Sequence, residues 1–97
     1  PDCRAPTLAA LQQALTLGLD RAIAVHAPLM QLSKADTVRL AAEVGALPAL
    51  AHSHTCYHGA VPPCGECAAC QLRARGFAEA GVEDPLLARC REEAACR

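Results

Sequence analysis

Cys56, Cys64, Cys67 and Cys70 follow one another as C-x7-C-x2-C-x2-C within fifteen residues, and sulfur at this spacing points to metal chemistry. Two overlapping C-x2-C steps bring three thiolates within reach of one ion. Cys56 can fold back across a Gly/Pro loop to complete a tetrahedron, which is the ligand set of a closed, structural zinc site. Pro62 and Pro63 stiffen the approach to Cys64, and Gly65 permits the tight turn that lets successive sulfurs point the same way. One zinc per chain, held by four cysteines in segment 56–70, is the expectation.

Two other uses of these thiols fit less well. A secreted disulfide framework favours an even cysteine count and a signal peptide, whereas the chain has seven cysteines and opens on Pro-Asp-Cys-Arg without an apolar leader. A thioredoxin-like C-x2-C stands alone at a helix start after a strand, and here the motif overlaps itself behind a Pro/Gly loop. A reducing cytoplasm is the expected location.

The elements that must position the sulfurs come from periodicity and capping. Pro6 suits a first helical turn, and Leu8, Leu11 and Leu15 recur at three- and four-residue steps, which predicts a helix over 6–17. Ala22 to His26 reads as a short strand, its branched Ile23 and Val25 alternating before Pro28. Ser33-Lys34-Ala35-Asp36 is a capping-box start for a helix that ends near Gly45. No period is evident from Leu47 to Pro63, where His52, His54 and His58 cluster with Cys56 in an expected loop. Residues 67–80 read as a helix that puts Cys67 and Cys70 one turn apart near its N-terminus, where unpaired N–H groups favour thiolates. Asp84-Pro85 starts a last helix, with Leu86, Leu87, Cys90 and Ala94 on its apolar side.

Composition sets the limits. Ninety-seven residues with two aromatics, Tyr57 and Phe77, make one small domain with a thin aliphatic core, for which a metal staple is a sensible support. A net charge of -1 gives no electrostatic footprint for nucleic acid. No apolar run approaches membrane-spanning length.

Several short motifs, taken in order, resemble the carboxy-terminal half of the 7-cyano-7-deazaguanine synthase family. They are Pro1-Asp2-Cys3-Arg4, His26-Ala27-Pro28-Leu29, Leu32-Ser33-Lys34-Ala35, Cys56-Tyr57, Pro63-Cys64-Gly65-x-Cys67-x-x-Cys70, and Leu72-Arg73-Ala74 through Gly76 to Gly81. The resemblance covers roughly residues 1–85. It implies an α/β fold: a mostly helical C-terminal part of a doubly wound PP-loop domain carrying the four-cysteine zinc loop, with 86–97 as an extra helical tail. It further implies an ATP-using ligase that turns 7-carboxy-7-deazaguanine and ammonia into a nitrile for queuosine biosynthesis. The family's Ser-Gly-Gly-x-Asp-Ser/Thr phosphate loop does not occur in the 97 residues. The chain is therefore expected to be the second half of the enzyme, inactive without an ATP-binding amino-terminal half, and a homodimer is left open. The family's Trp before its Ser-Cys step is replaced here by His54, with Thr55 next to Cys56.

Forming a nitrile from a carboxylate requires activating oxygen twice, and adenylation with loss of pyrophosphate does so, which calls for positive charge near the phosphates. Lys34 at the start of a capped helix could combine an ammonium with the helix N-terminus in one anion site; the alternative is a solvated helix-start lysine. If the family pattern holds, Arg4 pairs with a carboxylate in bidentate fashion and Asp2 accepts from a guanine-like edge; a charged turn before the first helix is the alternative. No catalytic residue is assigned, and Cys3 is not read as a nucleophile. His26 is a satisfied histidine more readily than a catalytic one. The other histidines are expected outside the metal's ligand set, because four cysteines already close it. Arg73 and Arg75 either offset the charge of a metal tetrathiolate or lie on the surface. Cys90 is expected to be buried and Cys96 incidental. A second function class, a zinc-stapled protein-interaction module without catalysis, stays open beside the ligase.

Overall fold

The computed structural model describes residues 4–95. These form two compact units, Pro1–Gln31 and Leu32–Arg97. Among the described residues no helix is long and apolar enough to cross a membrane.

The first unit is built on α1, Ala5–Gly18. Proline near its start has φ preset for a helix and lacks an N–H that would otherwise go unpaired, and the first helical bond runs from the Leu8 N–H to the Arg4 carbonyl at 3.1 Å. The strand expected at 22–26 is not formed, and no strand occurs among the described residues. The local β pattern has no second strand to pair with, and a strand is stable only in a ladder. Side chains of α1 take the backbone groups instead. Thr16 Oγ1 lies 3.3 Å from both the N–H and the carbonyl of Ile23, and Gln12 Oε1 accepts the Val25 N–H at 3.0 Å. The mostly helical expectation holds, while the α/β sheet has no strand in the described residues.

The second unit holds α2 (Lys34–Glu43), a short 3-10 helix (Leu47–His52), α3 (Ala68–Ala80) and α4 (Pro85–Ala95). The capping box forms as expected. Ser33 Oγ accepts the Asp36 N–H at 3.0 Å, and the Asp36 carboxylate accepts the Ser33 N–H at 3.3 Å. The Ser33 hydroxyl and, after it, the Ser33 N–H favour the charged form of the Asp36 carboxyl and lower its pKa. Arg39 then ties α2 to the end of α3, with one nitrogen 2.9 Å from Asp36 and another donating to the Glu79 carbonyl at 2.9 Å. The 3-10 helix replaces part of the loop expected over 47–63. Its six residues are too few for a 3.6-residue period to be visible.

Helices α2 and α3 pack directly on each other, and Gly76 is the reason they can approach so closely. A Cβ at 76 would stand 2.6 Å from Lys34 Cγ, 3.0 Å from its Cβ and 3.4 Å from its main-chain carbon. The core that results is small: Ala35, Val38, Cys56, Cys70, Phe77 and Leu86. On α4 the expected apolar side is narrower than the sequence suggests, because Leu86 is buried while Leu87 and Ala94 are exposed. Gly76→Ala gains helix propensity of about 1 kcal/mol but must push the Lys34 stem and backbone aside, an overpacking cost of about 1–3 kcal/mol. A net loss of about 1 kcal/mol in a denaturant titration is expected; a raised midpoint would mean that α2 yields freely.

Candidate metal centre

The four sulfurs are delivered by a loop and a helix start. Gly59 and Gly65 adopt left-handed conformations, φ +67 and +76, which turn the chain once after Cys56 and again between Cys64 and Cys67. Cys67 is the N-cap of α3, and its Sγ accepts the Cys70 N–H at 3.4 Å. Cys64 Sγ accepts two more main-chain donors, Glu66 N–H at 3.4 Å and Cys67 N–H at 3.3 Å. The cysteine knuckle is therefore also the cap of the helix, so sulfur placement and helix initiation are one event.

All four Sγ atoms lie within 4.8 Å of one another. Cys64 and Cys70 are 3.9 Å apart, far beyond the roughly 2.05 Å of a disulfide and close to the edge of about 3.8 Å expected for a tetrahedron of sulfurs about 2.3 Å from a central zinc. Cys56, Cys64, Cys67, Cys70 and Cys90 are all free thiols. Cys56, Cys64, Cys67 and Cys70 together could hold a metal ion.

The electrostatics favour thiolate character. Main-chain N–H groups of Cys64, Ala60 and His58 are directed at Cys56 and, against the opposing effect of burial, bring its thiol down to about 5. The Tyr57 and Cys70 N–H groups lower Cys67 in the same way. Cys70 accepts the Gly65 N–H, which favours its thiolate, but burial and the neighbouring sulfurs outweigh that bond and push it up to about 12. Four sulfurs this close cannot all be anionic without a cation among them. A divalent ion removes the mutual repulsion that holds Cys70 protonated.

Residues expected near the centre separate clearly. His52, His54 and His58 are exposed and outside the four-sulfur group; His54 Nε2 sits 2.9 Å from the Ala60 carbonyl, which braces the loop behind Cys56. Arg73 is neither a surface arginine nor a partner of the thiolates. It is buried at 6% exposure and forks onto Asp84, Nε to Oδ2 at 2.5 Å and Nη2 to Oδ1 at 2.8 Å, with its guanidinium 5.4 Å from the centre of the Phe77 ring. Asp84 Oδ1 also accepts the Leu86 N–H at 2.9 Å, so one carboxylate both neutralises Arg73 and caps α4. The sequence marked Asp84 as a cap but not as the arginine's partner. Arg75 is exposed. Cys90 is half-buried, not fully buried as expected, and lies beside Val61, Pro62 and Ala94.

Lys34 occupies the first position of α2 as expected and is exposed, and Arg4 stands exposed before α1 in the other unit. His26 is exposed. Asp2, Cys3 and Cys96 lie outside the described residues.

The family model "Queuosine biosynthesis protein QueC" matches residues 1–81. The chain is 67% identical over 94 residues to the 7-cyano-7-deazaguanine synthase of Chromobacterium violaceum, covering 97% of this chain and 40% of that protein. It is 68% identical over 89 residues to that of Laribacter hongkongensis, covering 92% and 39%, and 48% identical over 93 residues to that of Frankia casuarinae, covering 88% and 39%. The chain thus spans about 40% of the length of the curated relatives it matches. With most of its length matched by one family model and two thirds of its residues shared with its relative in Chromobacterium, the chain belongs to the queuosine biosynthesis protein QueC family.

Proposed function

We propose that the chain is the carboxy-terminal, zinc-bearing part of a cytoplasmic, ATP-dependent ligase that makes 7-cyano-7-deazaguanine from 7-carboxy-7-deazaguanine and ammonia. The observation that carries this reading is its 67% identity to a 7-cyano-7-deazaguanine synthase. The ATP-binding, PP-loop part corresponds to the stretch of the relatives that this chain does not cover, and the chain alone is inactive. The four cysteines hold one zinc. With four thiolates as its ligands, the ion would supply cross-linking and charge balance rather than an open position for substrate.

The chemistry asks the protein for anion binding. A substrate carboxylate oxygen attacks the α-phosphorus of ATP and pyrophosphate leaves; ammonia then displaces AMP to give the amide. The amide oxygen then attacks the α-phosphorus of a second ATP with loss of pyrophosphate and one N–H proton, and elimination of AMP with the remaining N–H proton gives the nitrile. Lys34 meets both the carboxylate and the phosphates, because its ammonium stands at the positive end of α2.

The test uses a longer, ATP-competent protein containing this chain, with turnover followed by product mass. Lys34→Ala should lower kcat by roughly 100-fold, the scale for removing one group that stabilises developing negative charge, and leave the zinc content at one per chain. Absence of nitrile from the unmodified protein would refute the ligase reading, and full activity of the Lys34→Ala form would remove Lys34 from the mechanism.

A further inference from the structure

Helix interiors disfavour glycine, whose backbone freedom is lost on folding. Gly76 nevertheless stands in the body of α3 and is buried there. It is not among the glycines with left-handed φ, so the backbone makes no demand for glycine at this position. The demand comes from α2. A Cβ at 76 would stand 2.6 Å from Lys34 Cγ and 3.0 Å from Lys34 Cβ, which means that the lysine stem fills the space a side chain on α3 would otherwise take. Lysine stems can lie along a packed surface while the charged head stays in water, and Lys34 as a whole is exposed.

A lysine ammonium is carried on a flexible four-carbon stem, so fixing its base does not fix its tip. The base of Lys34 is held twice. The capping box closes around it, with Ser33 Oγ accepting the Asp36 N–H at 3.0 Å, and Arg39 clasps α2 to α3 through the Glu79 carbonyl at 2.9 Å. The direction of the stem is then set by what its Cβ and Cγ rest on, and that is Gly76. No other cation can take over the position. Lys34 is the only lysine of the chain, and Arg73, which lines the same hollow between α2 and α3, is committed to Asp84.

We propose that Gly76 is a positioning residue for the Lys34 ammonium: by presenting no side chain, it seats the stem in one direction and so fixes where the charge meets the reacting groups. This rests on the role proposed for Lys34 above, and Gly76 acts through Lys34 alone. A misplacement of about 1 Å can cost on the order of 100-fold in rate, so a methyl at 76 should slow turnover in a protein that still folds.

The experiment is a double-mutant cycle in the longer, ATP-competent protein, with kcat and zinc content read for the unmodified form, Gly76→Ala, Lys34→Ala and the double variant. Gly76→Ala should lower kcat about tenfold with zinc still at one per chain, a part of the loss expected for removing the ammonium outright. In the Lys34→Ala background the same methyl should change kcat by less than about twofold, because no charge is left to misplace. An equal loss in both backgrounds would mark a general packing defect and overturn the proposal. Unchanged kcat in Gly76→Ala beside a slow Lys34→Ala would overturn it too, while leaving the role of Lys34 intact; a fully active Lys34→Ala removes that role and the seat with it. A second measurement needs no variant at all. In the zinc-loaded 97-residue chain, 13C-labelled lysine reports one residue, and the order parameters of its β and γ methylenes should exceed about 0.6; values in the flexible range below that would overturn the proposal even if Gly76→Ala failed to fold.

Discussion

Cys67→Ser is expected to release the metal and unfold at least residues 52–80. The substitution removes three things at once: one of four sulfurs, the N-cap of α3 that accepts the Cys70 N–H, and the acceptor for the Tyr57 N–H. Serine can still cap a helix, so the damage comes chiefly from the metal. Structural zinc binding is comparable in free energy to the entire stability of a small domain, and apart from the ligands the buried apolar core is only Ala35, Val38, Phe77 and Leu86. The direct checks are metal content, X-ray absorption at the zinc edge, circular dichroism and limited proteolysis. Four sulfur neighbours in the unmodified protein, and collapse of helicity when a chelator strips the ion, are the results required. One or two nitrogens in the shell, or a stripped protein with unchanged dichroism and protease resistance, would show that the site is not a four-sulfur staple. Acid should act in the same direction as the chelator. The metal needs all four sulfurs deprotonated, so falling pH restores protons to the thiolates and weakens binding; Cys56, whose thiol is held down to about 5, resists this further into acid than an ordinary cysteine.

Asp84→Ala should cost about 3–5 kcal/mol, because it leaves the Arg73 guanidinium buried without its counter-charge. Both side chains are only 7% exposed, so water cannot replace the lost carboxylate. The cap on α4 goes with it, since the Leu86 N–H loses its acceptor. Urea titrations of Asp84→Ala, Arg73→Met and the double variant form the test. The double variant should be less damaged than Asp84→Ala, as replacing a buried pair by apolar groups is milder than stranding one ion. Equal losses in Asp84→Ala and the double variant, with none in Arg73→Met, would mean that the pair contributes only through the cap.

Much of this was readable from local chemistry. The Ser33 box, the Cys67 helix start and the four-sulfur set are short-range patterns whose physics lies within a few residues, and the backbone carries each of them out. The misreadings share an opposite cause. Ile23 and Val25 alternate as strand residues do, but a ladder needs a partner that no local pattern can supply. Arg73 was assigned to the surface or the thiolates because its true partner is eleven residues away around a helix end, where only packing brings the two together. Leu86 and Leu87 are chemically alike, and which of them turns inward is set by the direction in which α4 meets the 3-10 helix.

The match to the family model ends at residue 81, three residues before the carboxylate that neutralises Arg73. A side chain inside the segment that the family model matches thus depends on one outside it. Grafting experiments inherit the same rule: a chimera cut at the end of the shared segment should carry residues 82–86 along with it, or replace Arg73 by a neutral side chain of similar length.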